Sequence, residues 1–332
     1  MRILVLGGTA WLGREIVRAA SGEGHEVTAL ARGEAGDPPA GARFVVADRD
    51  RDDAFDGLSG ESWDAVVDVS RQPGQVRRAI EALAQRTAHW VYVSTASVYA
   101  DSQTIGADES AELLPPLDGE VMETMEAYGS AKVSCEQHVL GGMGADRSLI
   151  ARVSLIGGPG DWSGRSGYWA KRLARPSNPE RRVLVPDAPD VPVQILDARD
   201  LAAWLVRVAE RGSAGIANTG GPTHTFAEHL EAVRAVTGFD GALEVVGEDW
   251  LAEHDVEPWM GPRSLPLWLP PDAIALNAHD TSLAEGLGLR TRPLAETLAD
   301  TLAWELGDPG PRRAGLSDDD ERQLLAALDA RD

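Results

Sequence analysis

The sequence predicts an α/β fold, a doubly wound parallel sheet followed by a smaller C-terminal domain. Three observations predict it. The chain opens with an apolar run that ends in glycines, Met1-Arg2-Ile3-Leu4-Val5-Leu6-Gly7-Gly8-Thr9-Ala10-Trp11-Leu12-Gly13. Short apolar runs then alternate with helical spacing through the first 150 residues. A later run, Tyr128-Gly129-Ser130-Ala131-Lys132, sets a phenol and an amine four residues apart, on one face of a predicted helix.

The elements follow in order. Ile3 to Leu6 is continuously apolar, as expected of a strand covered on both faces. Leu12, Ile16, Val17 and Ala20 have helical spacing. Glu26 to Leu30 reads as the second strand, Ala42 to Val46 as the third and Ala65 to Val69 as the fourth. Val76 to Ala84 reads as a helix and Trp90 to Ser94 as the fifth strand. Asp101 to Glu123 is polar, acidic and proline-containing, and reads as a long loop of the kind that often serves function. The helix with Tyr128 and Lys132 follows, then one strand from Ser148 to Ile156.

Beyond that point the pattern is less regular. Gly157 to Gly167 is glycine-rich, and Ala174 to Pro192 is rich in proline and charge. Val193 to Leu196 reads as a short strand before a helix with Leu201, Trp204, Leu205 and Val208 on one face. Trp250, Trp259 and Trp268 lie among prolines, as core or lid packing and as candidate apolar pocket walls. Leu294, Leu298 and Leu302 mark a late helix. Ser317 to Leu328 reads as a terminal helix whose acidic first turn suits the helix dipole. The expected domains are 1–155, with elements near 193–220 returning to it, and 156–332, mostly substrate-binding.

A chain of 332 residues can bury a sizeable core. Its net charge of −22 disfavours nucleic-acid and anionic-membrane partners, which need a basic surface. The single cysteine, Cys135, forms no intrachain disulfide and reads as a small buried hydrophobe. The N-terminal apolar run is too short for a signal peptide, and no stretch approaches the roughly 18 apolar residues of a membrane span. The expectation is a cytoplasmic protein, monomer or homodimer, with no metal.

Gly7 and Gly8 permit a tight strand-to-helix turn and close approach of a phosphate, and Gly13 permits close helix packing. This points to a Rossmann-type site for a dinucleotide pyrophosphate. The spacing Gly7, Ala10, Gly13 departs from the strict fingerprint, since alanine stands at the middle position. At the end of the second strand an acid would bind the ribose hydroxyls of NAD. This chain has Arg32, whose forked donors suit the 2′-phosphate of NADP. The expected cofactor is therefore NADP, with NAD possible. Asp48 is a candidate acceptor for the adenine amino group, and Thr9 and Arg49 are further cofactor-side candidates.

The candidate catalytic set is Thr95, Tyr128 and Lys132. A phenol has an unperturbed pKa of about 10 and is a poor acid/base at neutral pH. A nearby ammonium stabilises the phenolate and lowers that value. A hydroxyl at the C-terminal edge of the sheet, Thr95, can orient a carbonyl oxygen where ligands bind in such folds.

Together these residues resemble the extended short-chain dehydrogenases/reductases, the NAD-dependent epimerase/dehydratase family. The resemblance covers most of the chain. It rests on the Gly-Gly-Thr-Ala-Trp-Leu-Gly turn, the Ser94-Thr95-Ala96-Ser97-Val98-Tyr99 segment and the Tyr128/Lys132 pair, and on later pieces at Arg152 to Pro159, Asp197 to Ala202 and Arg292-Pro293-Leu294. It implies that Thr95 takes the Ser/Thr position, Tyr128 the acid/base position and Lys132 that of the ribose-binding lysine. It also implies that backbone at Trp11 and Leu12 faces the pyrophosphate, and that Val69 and Ser70 line the cofactor.

Three departures bear on substrate. Sugar-nucleotide members typically have asparagine three residues after the strand arginine, and counting from Arg152 this chain has Leu155. They often have a pyrophosphate-binding arginine where this chain has Val193-Gln194-Ile195-Leu196. Sugar dehydratases carry Asp-Glu after the catalytic threonine, where this chain has Ala96-Ser97. The expected reaction is hydride transfer between the nicotinamide and a small or medium carbonyl/alcohol substrate. Ser97, Tyr168, Trp169 and Gln194 are weak substrate-pocket candidates. The alternatives are a sugar-nucleotide epimerase and a non-catalytic NADP-binding regulator or RNA-associated protein.

Overall fold

The computed structural model describes residues 1–307, 310 and 312–331. Its alternating strands and helices form a seven-stranded parallel sheet. The strands are β1 (Arg2–Leu6), β2 (Glu26–Ala31), β3 (Arg43–Val46), β4 (Trp63–Asp68), β5 (Thr87–Thr95), β6 (Ser148–Val153) and an edge strand, Gly215–Thr219. The order across the sheet is Gly215–Thr219, β6, β5, β4, β1, β2, β3. The chain runs outward from β1 to β3, then returns to the other side of β1 at β4. That reversal is the switch point where such sheets bind ligands. Leu6 and Asp68 are register partners there, and Val69 N–H donates to the Leu6 carbonyl at 3.2 Å.

Apolar runs form β1 and β4 because both of their faces are covered. Ile3, Leu4, Val5, Leu6, Ala65, Val66 and Val67 are all fully buried. Helix α1 (Trp11–Gly22) buries Ile16, Val17 and Ala20 of the face read from the sequence, with Gly13 in addition, while Leu12 is only partly buried. Helix α2 (Pro73–Leu83) starts on a proline, whose missing N–H costs nothing at a first turn. Helix α3 (Tyr128–Met143) is buried around most of its circumference, including Lys132 and Glu136.

The chain divides into two compact units. The first contains Met1–Ser154, Ala198–Gly220 and His279–Arg290. The second contains Leu155–Asp197, Gly221–Ala278 and the chain from Thr291 onward. The strand expected from Ser148 to Ile156 is in fact two. It breaks at Ser154, whose N–H donates to the Thr219 carbonyl at 2.9 Å, and β7 (Leu155–Gly157) joins a different sheet, pairing in parallel with the strand Pro192–Asp197. Between them in the chain, β8 (Arg182–Pro186) pairs in parallel with Ala242–Val246. The strand Pro192–Asp197 is β9. One apolar run therefore serves two sheets, which hydropathy alone cannot reveal.

The second unit has its own core, in which helix α4 (Tyr168–Ala174) packs with Phe226, Trp250, Leu265 and Trp268. Trp250 and Trp268 are core, as the packing reading expects, and not pocket walls, since large rings remove most apolar surface from water when enclosed. Trp259 is partly buried against the same core, with the Arg165 guanidinium 4.7 Å from its ring centroid. The terminal helix, Asp318–Asp329, begins with a capping box between Ser317 and Asp320.

Candidate active site

The glycine turn is built from positions that leave no room for a side chain. Gly7 has φ of +97°, and a Cβ there would lie 2.6 Å from Val69 Cγ2. A Cβ on Gly13 would lie 2.1 Å from the Gly7 carbonyl oxygen. Gly8 is as tight, against Ala29. Ala10 has φ of −81°, which alanine adopts without strain, so the backbone does not demand the missing middle glycine. Ala10 at the N-cap of α1 makes no side-chain cap bond, and the helix dipole and first-turn N–H groups face the turn. Thr9 is buried in the turn, and Trp11 and Leu12 form the first helical residues. This cradle fits a dinucleotide pyrophosphate.

Beside the turn is a cavity of about 170 Å³ lined by Gly7, Thr9, Arg32, Ala47, Arg49 and Gln75, among others. Arg32 lies exposed at its wall, paired with the exposed Glu34 at 3.0 Å. Such a surface pair contributes little and exchanges readily for another anion. Asp48 accepts at Oδ1 from the Asp50 backbone N–H at 3.1 Å, which turns its carboxylate to the local chain. Arg49 reaches inward. Its Nη1 lies 3.1 Å from Asp68 Oδ1 and also donates to Ser70 Oγ. Its Nη2 is 3.8 Å from where a Gly7 Cβ would stand.

At the candidate catalytic end, Thr95 is the last residue of β5. Its hydroxyl accepts from Ser97 N–H at 3.2 Å and caps the short turn Ala96–Val98. Helix α3 begins at Tyr128, directly after a helical turn at Met125–Ala127. Gly129 presses that first turn onto the Thr95 loop, because a Cβ at 129 would lie 2.2 Å from the Ser97 carbonyl oxygen. Lys132 is buried, with Nζ donating to the carbonyls of Ser70 at 2.8 Å and Val93 at 2.6 Å. Two of its three donors are thereby used. The ammonium also sits 4.3 Å from the Tyr92 ring centroid. Burial pulls its pKa down to about 8, against the opposing pull of Cys135, Asp68 and Glu136.

A buried polar network that sequence reasoning missed supports this end. Arg152 of β6 forks onto Glu136 of α3, with Nη2–Oε2 at 2.8 Å, and donates to Tyr99 Oη at 3.2 Å. Tyr99 donates in turn to Asn218 Oδ1 at 2.5 Å. Asn218 N–H donates to Glu109 Oε1 at 2.6 Å, so the loop after Asp101 is tied to the buried network. Breaking a buried pair of this kind typically costs about 3–5 kcal/mol. The available signal was Glu136 itself, which continues the stripe of Tyr128 and Lys132 by one more helical step.

The four weak pocket candidates are placed differently. Ser97 stays in the Thr95 turn, its Oγ accepting from the Thr95 hydroxyl at 3.2 Å. Tyr168 and Trp169 are fully buried in the second unit's core, and Trp169 Nε1 donates to the Pro266 carbonyl at 2.7 Å. Neither faces an open pocket, because the two rings fill the core edge to face. Gln194 is buried on β9 and donates to Thr223 Oγ1 at 3.2 Å.

The profile of the NAD dependent epimerase/dehydratase family matches residues 3–220. UDP-N-acetylglucosamine 4-epimerase from Bacillus cereus superposes with a TM-score of 0.67 at 19% identity, covering 94% of this chain and 99% of that one. UDP-glucose 4-epimerase from Thermus thermophilus, in complex with NAD, superposes at 0.66 with 20% identity, covering 93% and 100%. At such identity the likeness concerns the fold. The chloroplast stem-loop binding protein of 41 kDa b from Arabidopsis thaliana is 26% identical over 255 residues, which span 71% of this chain and 63% of that protein.

Proposed function

The chain belongs to the NAD dependent epimerase/dehydratase family, and from that premise we propose that it is an NADP-dependent oxidoreductase acting on a small or medium carbonyl or alcohol. One observation carries the reading: Gly129 lets the start of α3, with Tyr128, press onto the turn capped by Thr95, while Lys132 is held beneath by two carbonyls. In this reading the bound nicotinamide supplies hydride. Thr95 orients the substrate oxygen, and Tyr128 gives it a proton or takes one back. Lys132, charged below about pH 8, stabilises the phenolate and offers its remaining donor to the ribose. Arg32, released from Glu34, receives the 2′-phosphate.

Two other readings have specific support. The structural neighbours include sugar-nucleotide epimerases, which favours an epimerase that uses the same triad without net cofactor consumption. The plant relative is named for stem-loop binding, which favours an RNA-associated role, although a net charge of −22 opposes it. Mass spectrometry of the protein purified with its bound cofactor, followed by NADPH absorbance against a carbonyl panel, separates them. Stoichiometric NADPH loss supports the reductase. Sugar interconversion without loss promotes the epimerase, and binding without turnover promotes the non-catalytic role.

A further inference from the structure

The carboxylate of Asp68, at the end of β4, is fully buried and lies between the two ends of the site. Its Oδ1 takes Arg49 Nη1 at 3.1 Å, the Ser70 backbone N–H at 2.9 Å and the Ser70 hydroxyl. Its Oδ2 is buried with no hydrogen-bond partner among the described residues. The Ser70 carbonyl then takes Lys132 Nζ at 2.8 Å and the Tyr92 hydroxyl at 3.0 Å. A continuous chain of contacts therefore runs from the arginine beside the glycine turn to the lysine beneath Tyr128.

An orphaned buried carboxylate oxygen is costly unless its charge serves another group. Arg49 already satisfies part of that charge, and Lys132 is the second cation within its field. We propose that Asp68 is a positioning residue: it fixes the Ser70 backbone that receives Lys132 and supplies the negative charge that keeps this ammonium protonated, with Arg49 as its counterweight. Anything that engages the Arg49 guanidinium, a cofactor phosphate included, leaves more of the Asp68 charge to Lys132. The two ends of the site are then electrostatically linked. The groups facing Lys132 are Cys135 and Glu136 from its own helix, Asp68 at the end of β4, Arg71 in the loop after it, and Tyr92 from β5.

The chain contains only two lysines, Lys132 and Lys171, so Lys132 can be read directly. The experiment labels lysine isotopically in the full chain and follows both side-chain resonances against pH in the cofactor-free protein, with Lys171→Arg to assign them. Asp68→Asn should lower the Lys132 midpoint by about one pH unit, the usual effect of losing a nearby opposite charge. Arg49→Met should raise it, by about half a unit, because Asp68 is then less neutralised. A purely structural role would loosen the site and move both variants upward. An unchanged midpoint in either variant, or the same direction in both, overturns the proposal. If Asp68→Asn does not fold, Arg49→Lys is the second variant: it keeps the counter-charge and should leave the midpoint near the parent's while Arg49→Met raises it, and a rise in both overturns the proposal. The role of Asp68 rests on reading Lys132 as the ribose-binding lysine, but the titration does not. A failed cofactor assay would sink that reading while leaving the midpoints as they are.

Discussion

The carbonyl oxygen of Ser97 occupies the space that a side chain at Gly129 would need. A Cβ there would lie 2.2 Å from that oxygen and 2.5 Å from Leu114 Cδ1. Glycine is required here for close approach and not for an unusual φ, since Gly129 lies inside a regular helix. The contact decides how near the first turn of α3 comes to the end of β5.

Gly129→Ala should therefore push Tyr128 away from Thr95. Overpacking against backbone costs about 1–3 kcal/mol. Denaturant unfolding should detect the loss, and turnover should fall more than cofactor affinity does. A variant as stable and active as the parent would mean that this contact does not place the helix.

NADPH should bind more tightly than NADH, by about 1–3 kcal/mol, if Arg32 bonds the 2′-phosphate. Arg32→Gln should erase the difference and leave NADH affinity nearly unchanged. Fluorescence titration of both cofactors measures this, and a preference for NADH in the parent would refute it.

Tyr128→Phe removes only the hydroxyl, so fold and cofactor affinity should survive. The rate should fall by about 100-fold or more, the usual worth of a positioned acid/base. Near-normal turnover would point to another proton donor.

UDP, GDP and dTDP sugars should neither bind nor react at millimolar concentration. Leu155 and Val193, where the family resemblance implies polar groups in sugar-nucleotide members, are buried in an apolar core. A diphosphate has no compensation there for its lost hydration. Calorimetry on the NADP-loaded protein decides it, and micromolar affinity would promote the epimerase reading.

Stability should fall in acid through His229. Burial lowers its pKa to about 4, and neither ring nitrogen has a hydrogen-bond partner among the described residues. The unfolded chain takes up this proton near pH 6.5, as an unperturbed histidine does. Its contribution is thus complete above about pH 6.5 and is lost as pH falls toward about 4, to the extent of about 3 kcal/mol. His229→Leu should flatten this part of the urea-midpoint profile. A profile as steep as the parent's would place the acid sensitivity elsewhere.

The sequence by itself determined what depends on local pattern. Doubly buried strands need unbroken apolar runs, so β1, β4 and β5 were legible, as was the apolar face of α1. The crowding that requires Gly7, Gly8 and Gly13 also follows from a strand turning directly into a helix. Tertiary structure alone decided the rest. It divided the Ser148–Ile156 run between two sheets and enclosed Tyr168, Trp169, Trp250 and Trp268 as core. It also joined Arg49 to Asp68 across 19 positions, Lys132 to Ser70 across 62 and Tyr99 to Asn218 across 119. Periodicity reports which way a side chain faces, whereas its partner depends on strand order and register, and the reversal between β1 and β4 brings such distant residues to the same sheet edge.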